Sequence, residues 1–240
     1  MQAVDKSLDL LELIVRDGGA APLRTHAEAL GLAVSTAYRL AATLRRRGLL
    51  APARRGHYVA GLRLVELARC ADRNVILAAA ARPVLRQLAR ATGATAHLGV
   101  FDADMLTYLV KEHVAGVDLF TREGGQLEAY CSAVGKTLLA FMSRAEQDAY
   151  LATAPFLPLT GRTVVDPGLI RRSLEQIRVQ GFALDDGEIS DDLSCVALPL
   201  RDPAGSVSAA VSLSRTGPSW RVPPPALRRA ASAIEKRLWQ

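Results

Sequence analysis

The run GLAVSTAYRLAATLRRRGLLAPARRGHYVAG, residues 31–61, decides the reading of this chain. Within it Ala37, Leu40, Ala41 and Leu44 recur at i, i+3, i+4 and i+7, the apolar stripe of a helix over residues 34–47. The other positions hold Ser35, Thr36, Tyr38, Arg39, Thr43, Arg45, Arg46 and Arg47. Gly48 ends that helix. Residues 49–51 and 57–60 then predict two short strands around Pro52-Ala53-Arg54-Arg55-Gly56, a hairpin carrying two arginines. Taken alone, the helix fits two descriptions equally. It is either a solvated amphipathic helix whose basic last turn complements the helix dipole, or a recognition helix presenting short hydroxyls to base edges. In the second case Arg39, one turn on, takes a guanine edge or a phosphate.

The flanks favour the second description. Val4, Leu8, Leu11 and Val15 predict a first helix ending at Asp17-Gly18-Gly19, and Thr25-x-x-Glu28 reads as a capping box opening a short second helix that stops at Gly31. Two short helices before a third is the helix-turn-helix layout, and the hairpin after it supplies a wing. Residues 1–60 hold nine Lys and Arg against five Asp and Glu, so +4 of the net +6 lies in the first quarter of the chain. Phosphate contacts need positive charge there.

Beyond the wing, residues 62–74 and 76–91 predict two more helices, and from Ala94 the pattern turns to strands. Residues 95–101 and 106–114 flank the hairpin signal Asp102-Ala103-Asp104, with further strands predicted at 117–121 and 127–130. A helix is predicted over 133–142, a capping box at Ser143-x-x-Glu146 opens another, and Asp166-Pro167 starts one that ends at Gly181. Residues 182–184, 195–201 and 206–214 read as strands, and Pro223–Pro225 opens a last helix. The expectation is an α+β chain of two domains with a mainly antiparallel sheet in the second. Half of the 240 residues are hydrophobic, enough for a substantial core, yet no apolar run approaches the roughly 20 residues that span a bilayer. The N-terminus lacks the pattern of a signal peptide. Cys70, Cys131 and Cys195 are an odd number without CxxC spacing, which argues against disulfides and a structural metal and for a reducing cytoplasm. His26, His57, His97 and His113 are scattered without metal-ligand spacing and read as structural.

SLDLLELI, GLAVSTAYRLAATLRRRGLL and GHYVAGLRLVELA, then SAVGKTLLAFM, GFALDDGEISDDLSCVALPLRDPAG and AAVSLS, occur in an order that resembles the IclR family of bacterial transcription regulators along nearly the whole chain. That resemblance implies a winged helix-turn-helix over residues 1–61, a linker helix over 62–75 and a GAF-like effector-binding domain over 76–240. It implies a double-stranded, palindromic DNA operator, a homodimer or homotetramer, and control of a catabolic operon by a small organic acid, aromatic acids included. It implies neither cofactor nor catalysis. DNA contacts are expected from Ser35, Thr36, Tyr38, Arg39, Thr43, Arg45, Arg46, Arg54 and Arg55. The effector pocket is expected at Ala133, Val134, Gly135, Asp185, Cys195, Ser212 and Ser214. Two departures stand out: Val34 occupies a position where relatives often carry Lys or Arg, and the arm before the first helix is short or absent.

The pocket residues also make chemical sense by themselves. Ser212 and Ser214, two apart on a strand, face the same side. Ser132–Lys136 precedes or opens a helix whose first N–H groups suit a carboxylate. Asp185 would repel an anion unless it meets a ligand hydroxyl or is neutralised. A different reading makes Cys195 the nucleophile of an enzyme, which requires an activated thiolate and a base in reach.

Overall fold

The computed structural model describes residues 2–116 and 119–239, in two units that meet between Asp72 and Arg73. In the first unit, helix α1 (Gln2–Arg16) turns through Asp17, whose carboxylate accepts from the amides of Gly19 (2.7 Å) and Ala21 (2.9 Å). Helix α2 (Leu23–Ala29) follows from Pro22, which fixes the entry one turn before the expected Thr25 capping box. Thr25 is therefore an interior residue whose N–H bonds the Pro22 carbonyl, and no such box forms. Helix α3 (Val34–Arg46) buries Ala37, Ala41 and Leu44 as its periodicity demands. The wing is β1 (Leu50–Pro52) against β2 (Tyr58–Ala60), one residue later than read. The core of this unit gathers Leu10, Leu11, Ile14, Leu23, Ala37, Ala41, Leu44 and Leu50. Of the stripe assigned to α1, only Leu11 belongs to it; Val4, Leu8 and Val15 are exposed. Helix α4 (Leu62–Arg69) stops five residues short of the predicted end and buries no side chain fully.

The second unit is built on a six-stranded antiparallel sheet. In chain order its elements are α5 (Arg73–Thr92), β3 (Thr95–Asp102), β4 (Met105–Glu112), β5 (Gln126–Glu128), α6 (Ala133–Phe141), α7 (Arg144–Leu151), α8 (Pro167–Gln180), β6 (Ala183–Asp186), β7 (Leu193–Arg201), β8 (Val207–Thr216) and α9 (Pro225–Trp239). The strands lie in the order β5-β4-β3-β8-β7-β6. Of the strand expected at 117–121, residues 117 and 118 lie outside the described residues, and the rest is not a strand. The local stop and start signals of α7 and α8 hold. Ser143 and Glu146 form a reciprocal capping box, Asp166 caps the Leu169 amide, and Gly181 ends α8 at φ 79°.

Strand alternation divides the sheet. Ala96, Leu98, Val100, Val196, Leu198, Val211 and Leu213 face one way, into a core with Leu85 and Leu88 of α5 and Leu227 and Ile234 of α9. Each of the Val, Leu and Ile side chains contributes roughly 1.5–3 kcal/mol of burial, so this layer anchors the fold. The opposite face looks toward α6. There Gly99 gives up its side chain: a Cβ would stand 2.5 Å from Leu106 Cδ1 and 2.8 Å from Val134 Cγ1.

Candidate functional site

On the first unit, α3 presents Ser35, Tyr38, Arg39, Thr43, Arg45 and Arg46 to solvent, with Thr36 half-buried. They are exposed because the opposite side of the helix supplies the core. Thr43 Oγ1 bonds back to the Arg39 carbonyl at 3.2 Å and accepts from Arg46 at 3.4 Å, so its hydroxyl is partly committed within the helix. The wing is tied to the α1–α2 turn. His57 Nδ1 lies 3.1 Å from the Gly19 carbonyl, Leu23 donates to the Gly56 carbonyl at 2.8 Å, and Arg54 reaches the Ala20 carbonyl at 3.4 Å. Gly19 is required at this junction, since a Cβ there would sit 2.4 Å from the Tyr58 carbonyl oxygen. Tyr38 leans its hydroxyl toward the wing, 3.5 Å from the place of a Cβ on Gly56. The recognition helix and the Arg54-Arg55 tip thus form one braced, basic surface, the kind that fits a duplex groove and its phosphates.

In the second unit, strand register assembles a polar row. Asp185 on β6 faces Cys195 on β7, Cys195 faces Ser214 on β8, and Ser214 faces Thr95 on β3. In the neighbouring row of the same face, Ala197 opposes Ser212 and Ser212 opposes His97. Asp185 is the third residue of its strand rather than the residue after it, and Cys195 the third of its own rather than the first. A bulge in the β3–β4 ladder after Leu98 pairs Gly99 with Tyr108, which turns Tyr108 onto this face. The Tyr108 ring packs on the His97 ring at 4.5 Å between centroids.

Helix α6 closes the face. Ser132 is its N-cap, accepting from the Gly135 amide at 3.1 Å, and the amides of Ala133 and Val134 begin the helix with no intrahelical acceptor. Gly135 lets the helix start press onto the preceding chain, since a Cβ there would meet Ala129 Cα and its carbonyl oxygen at 2.4 Å. Together Tyr108, Thr121, Ala133, Val134, Asp185, Cys195, Ser212 and Ser214 line a nearly closed cavity of about 10 Å³. Asp185 Oδ2 and Ser212 Oγ are buried there without a hydrogen-bond partner among the described residues. Asp185 Oδ1 accepts from the Glu188 amide at 2.8 Å, and the Glu188 carboxylate is ion-paired with Lys136 of α6. Burial pushes the Asp185 carboxyl up to about 6, with the Glu188 charge adding to it, against the lowering effects of the Glu188 amide, Lys136 and the Cys195 thiol. Burial also raises the Cys195 thiol well above its usual range, with the Asp185 charge adding to it.

Six of the seven residues expected for the pocket, all but Gly135, line this cavity, and Gly135 sets the helix that closes it. Sequence reading missed Tyr108 and Thr121, and with them the apolar Leu127, Ile189 and Leu193 that complete the lining. Tyr108 reaches the face only through the bulge. Thr121 hangs over it on the segment from Leu119 to Thr121, whose two end carbonyls accept from Lys111 Nζ at 2.7 Å each. His97 Nε2 is hydrogen-bonded to Thr121 Oγ1 at 2.9 Å, so His97 supports the wall of the cavity, and burial drops its ring to about 3, keeping it neutral. The alternation Thr95, His97, Gly99 along β3 was the available signal for that wall.

A winged helix-turn-helix unit followed by a unit with a buried polar cavity defines a ligand-responsive, DNA-binding transcription regulator. Residues 3–53 match the IclR helix-turn-helix domain, and residues 71–234 match the C-terminal domain of bacterial transcriptional regulator IclR. The HTH-type transcriptional regulator RhmR of Escherichia coli is 34% identical over 215 residues, covering 89% of this chain and 82% of that protein. Among solved structures, Thermotoga maritima IclR aligns with a TM-score of 0.61 at 28% identity over 99% of both chains. An IclR homolog from Microbacterium hydrocarbonoxydans complexed with 4-hydroxybenzoate aligns with a TM-score of 0.64 at 26% identity over 98% of both. The chain belongs to the IclR family of bacterial transcriptional regulators. Among the described residues no helix is long and apolar enough to cross a membrane.

Proposed function

We propose that this regulator senses a compact organic acid in the cavity between α6 and the polar row, and that the acid changes how homo-oligomers of the chain engage a palindromic operator in the cytoplasm. In this reading residues 1–61 read DNA through Ser35, Thr36, Tyr38, Arg39, Thr43, Arg45, Arg46, Arg54 and Arg55. Two-fold symmetric copies match two half-sites about one helical turn apart, which is why the operator is expected to be palindromic. A small acid that induces or represses its own breakdown is the natural signal for a catabolic operon.

The observation that carries the effector assignment is the pair of unpartnered polar atoms, Asp185 Oδ2 and Ser212 Oγ, lining a cavity next to the start of α6. An orphaned buried polar group costs roughly 1–3 kcal/mol, and a ligand with a carboxylate for the Ala133 and Val134 amides and a hydroxyl or carbonyl for the row removes that cost. Size selects within the acids. The cavity of about 10 Å³ admits one water, whereas an apolar cavity that binds benzene is on the order of 150 Å³. A short 2-oxo or 2-hydroxy acid requires a modest outward movement of the Leu119–Thr121 segment; an aromatic acid such as the 4-hydroxybenzoate of the Microbacterium homolog requires much more. The Cys195-nucleophile reading has the opposite support, because a thiol held protonated by burial is unreactive.

A thermal-shift screen of short aliphatic acids beside 4-hydroxybenzoate tests the assignment. A true effector at 100 times its dissociation constant adds about 2.7 kcal/mol of stability, and the same acid should change a salt-sensitive gel shift with the protein's own upstream DNA. Stabilisation by the aromatic acid alone would refute the size argument. A gel shift indifferent to every stabilising acid would refute the regulatory one.

A further inference from the structure

The charges around the cavity do not balance for an incoming anion. Facing Asp185 are Lys136 from α6, Glu188 from the turn after β6, Cys131 from the chain entering α6, Cys195 from β7 and Tyr108 from β4. From β8 come only the hydroxyls of Ser212 and Ser214. Asp186, next along β6, is exposed, accepts from Ser219 and lies 4.0 Å from Arg162. Lys136 is the cation in this group, and the Glu188 carboxylate already holds it. Burial keeps Cys131, Cys195 and Tyr108 protonated and neutral. His97, behind Tyr108, is neutral as well. A carboxylate arriving at the amides of Ala133 and Val134 therefore meets an unpaired second carboxylate with no spare positive charge among these groups.

Resting on the acid-effector reading above, we propose that the effector binds as its anion together with one proton from solvent, which lodges on Asp185 Oδ2. That oxygen receives no N–H or O–H donor, the Cys195 thiol being the one weak donor beside the carboxyl, whereas Oδ1 is occupied by the Glu188 amide at 2.8 Å. Protonation forms one O–H bond at Oδ2 and nothing else changes covalently. It converts a repelling acceptor into a donor aimed into the cavity, so the pocket offers the acid donors from two sides: the helix-start amides and the Asp185 hydroxyl. Burial already loads the carboxyl toward this state, having raised it to about 6 before any anion arrives. A second negative charge in the same low-dielectric space raises it further. The regulator would then respond to an organic acid and to acidity jointly, with tightest binding when a culture acidifies as the acid accumulates.

The test is calorimetric titration of the full-length protein with pyruvate, glycolate and lactate at pH about 8, in two buffers of different ionisation enthalpy, repeated at pH about 7. We expect about one proton taken up per acid bound and a dissociation constant that weakens about tenfold per pH unit. In Asp185→Asn, which keeps an acceptor for the Glu188 amide, both the uptake and the pH slope should vanish. Acid binding by the natural protein without net proton exchange overturns the proposal while leaving the effector reading intact, and this arm needs no variant to fold. Uptake that persists in Asp185→Asn also overturns it. No binding by any of the three acids at either pH overturns the effector reading and this proposal with it.

Discussion

Gly135→Ala is the substitution through which the structure is most exposed to refutation. Glycine inside a helix ordinarily costs about 0.5–1 kcal/mol relative to alanine, so on propensity alone the change should stabilise. Packing says otherwise. The new Cβ would lie 2.4 Å from Ala129 Cα and its carbonyl oxygen and 2.5 Å from Ser132 Oγ, where ordinary contact begins at 3.4 Å. The obstacle is backbone, which cannot swing aside, so the start of α6 has to retreat by roughly 1 Å. Overpacking of this kind costs about 1–3 kcal/mol, leaving a net loss of about 1–2 kcal/mol. For a unit of this size that is a fall of about 2–8 °C in melting temperature. Gly161→Ala is the matched control, with nothing within 4 Å of the added carbon, and should be neutral or stabilising by up to about 1 kcal/mol. Urea unfolding of both variants measures the difference. Because α6 carries the amides of Ala133 and Val134, the same displacement should weaken a pocket-bound acid by at least about tenfold. If Gly135→Ala is as stable as the control, the start of α6 does not press on Ala129 and the reasoning fails.

Asp185→Asn should stabilise the ligand-free protein at alkaline pH. The folded carboxyl titrates at about 6 against an ordinary 3.8. Its favourable contribution is therefore complete below about pH 3.8 and lost as pH rises through about 6, a swing of about 3 kcal/mol. After a deduction for the buried amide, a gain of about 1–2 kcal/mol at pH about 8, vanishing near pH 4, is expected in urea titrations. In DNA-binding titrations against salt, Arg55→Ala should lower the slope by about 1 without changing site preference. Arg39→Ala should cost about 1–3 kcal/mol and relax one base position. An unchanged preference would remove Arg39 from the base-reading set. A thiol reagent at neutral pH should modify exposed Cys70 quickly and spare buried Cys131 and Cys195 until unfolding; rapid labelling of Cys195 would contradict its protonated, enclosed state.

What was legible in the sequence is what local chemistry encodes. The α3 stripe, the Ser143–Glu146 box and the Asp166-Pro167 start with its Gly181 stop are each written within a few residues, and each forms as read. The Thr25–Glu28 box had the right letters but lost to Pro22, which begins the helix earlier. The α1 stripe was misread because the three-helix core has room only for Leu10, Leu11 and Ile14. Half of the cavity lining follows from the resemblance, supported by the alternation of Ser212 and Ser214. Its row was not visible, because Asp185, Cys195, Ser214 and Thr95 become neighbours only through the register of four strands. Tyr108 was still less accessible, since a single bulge decides which side of β4 it takes.

The alternation along β7 and β8 also bears on how such a sensor diversifies. Cys195, Ser212 and Ser214 line the cavity, while Val196, Leu198, Val211 and Leu213, one step away in the chain, hold the sheet to α5 and α9. With the effector seated as proposed, substitutions on the first set act on ligand choice and those on the second on folding. A lineage can therefore drift from one metabolite to another by exchanging every second residue, with the scaffold beneath it unaltered.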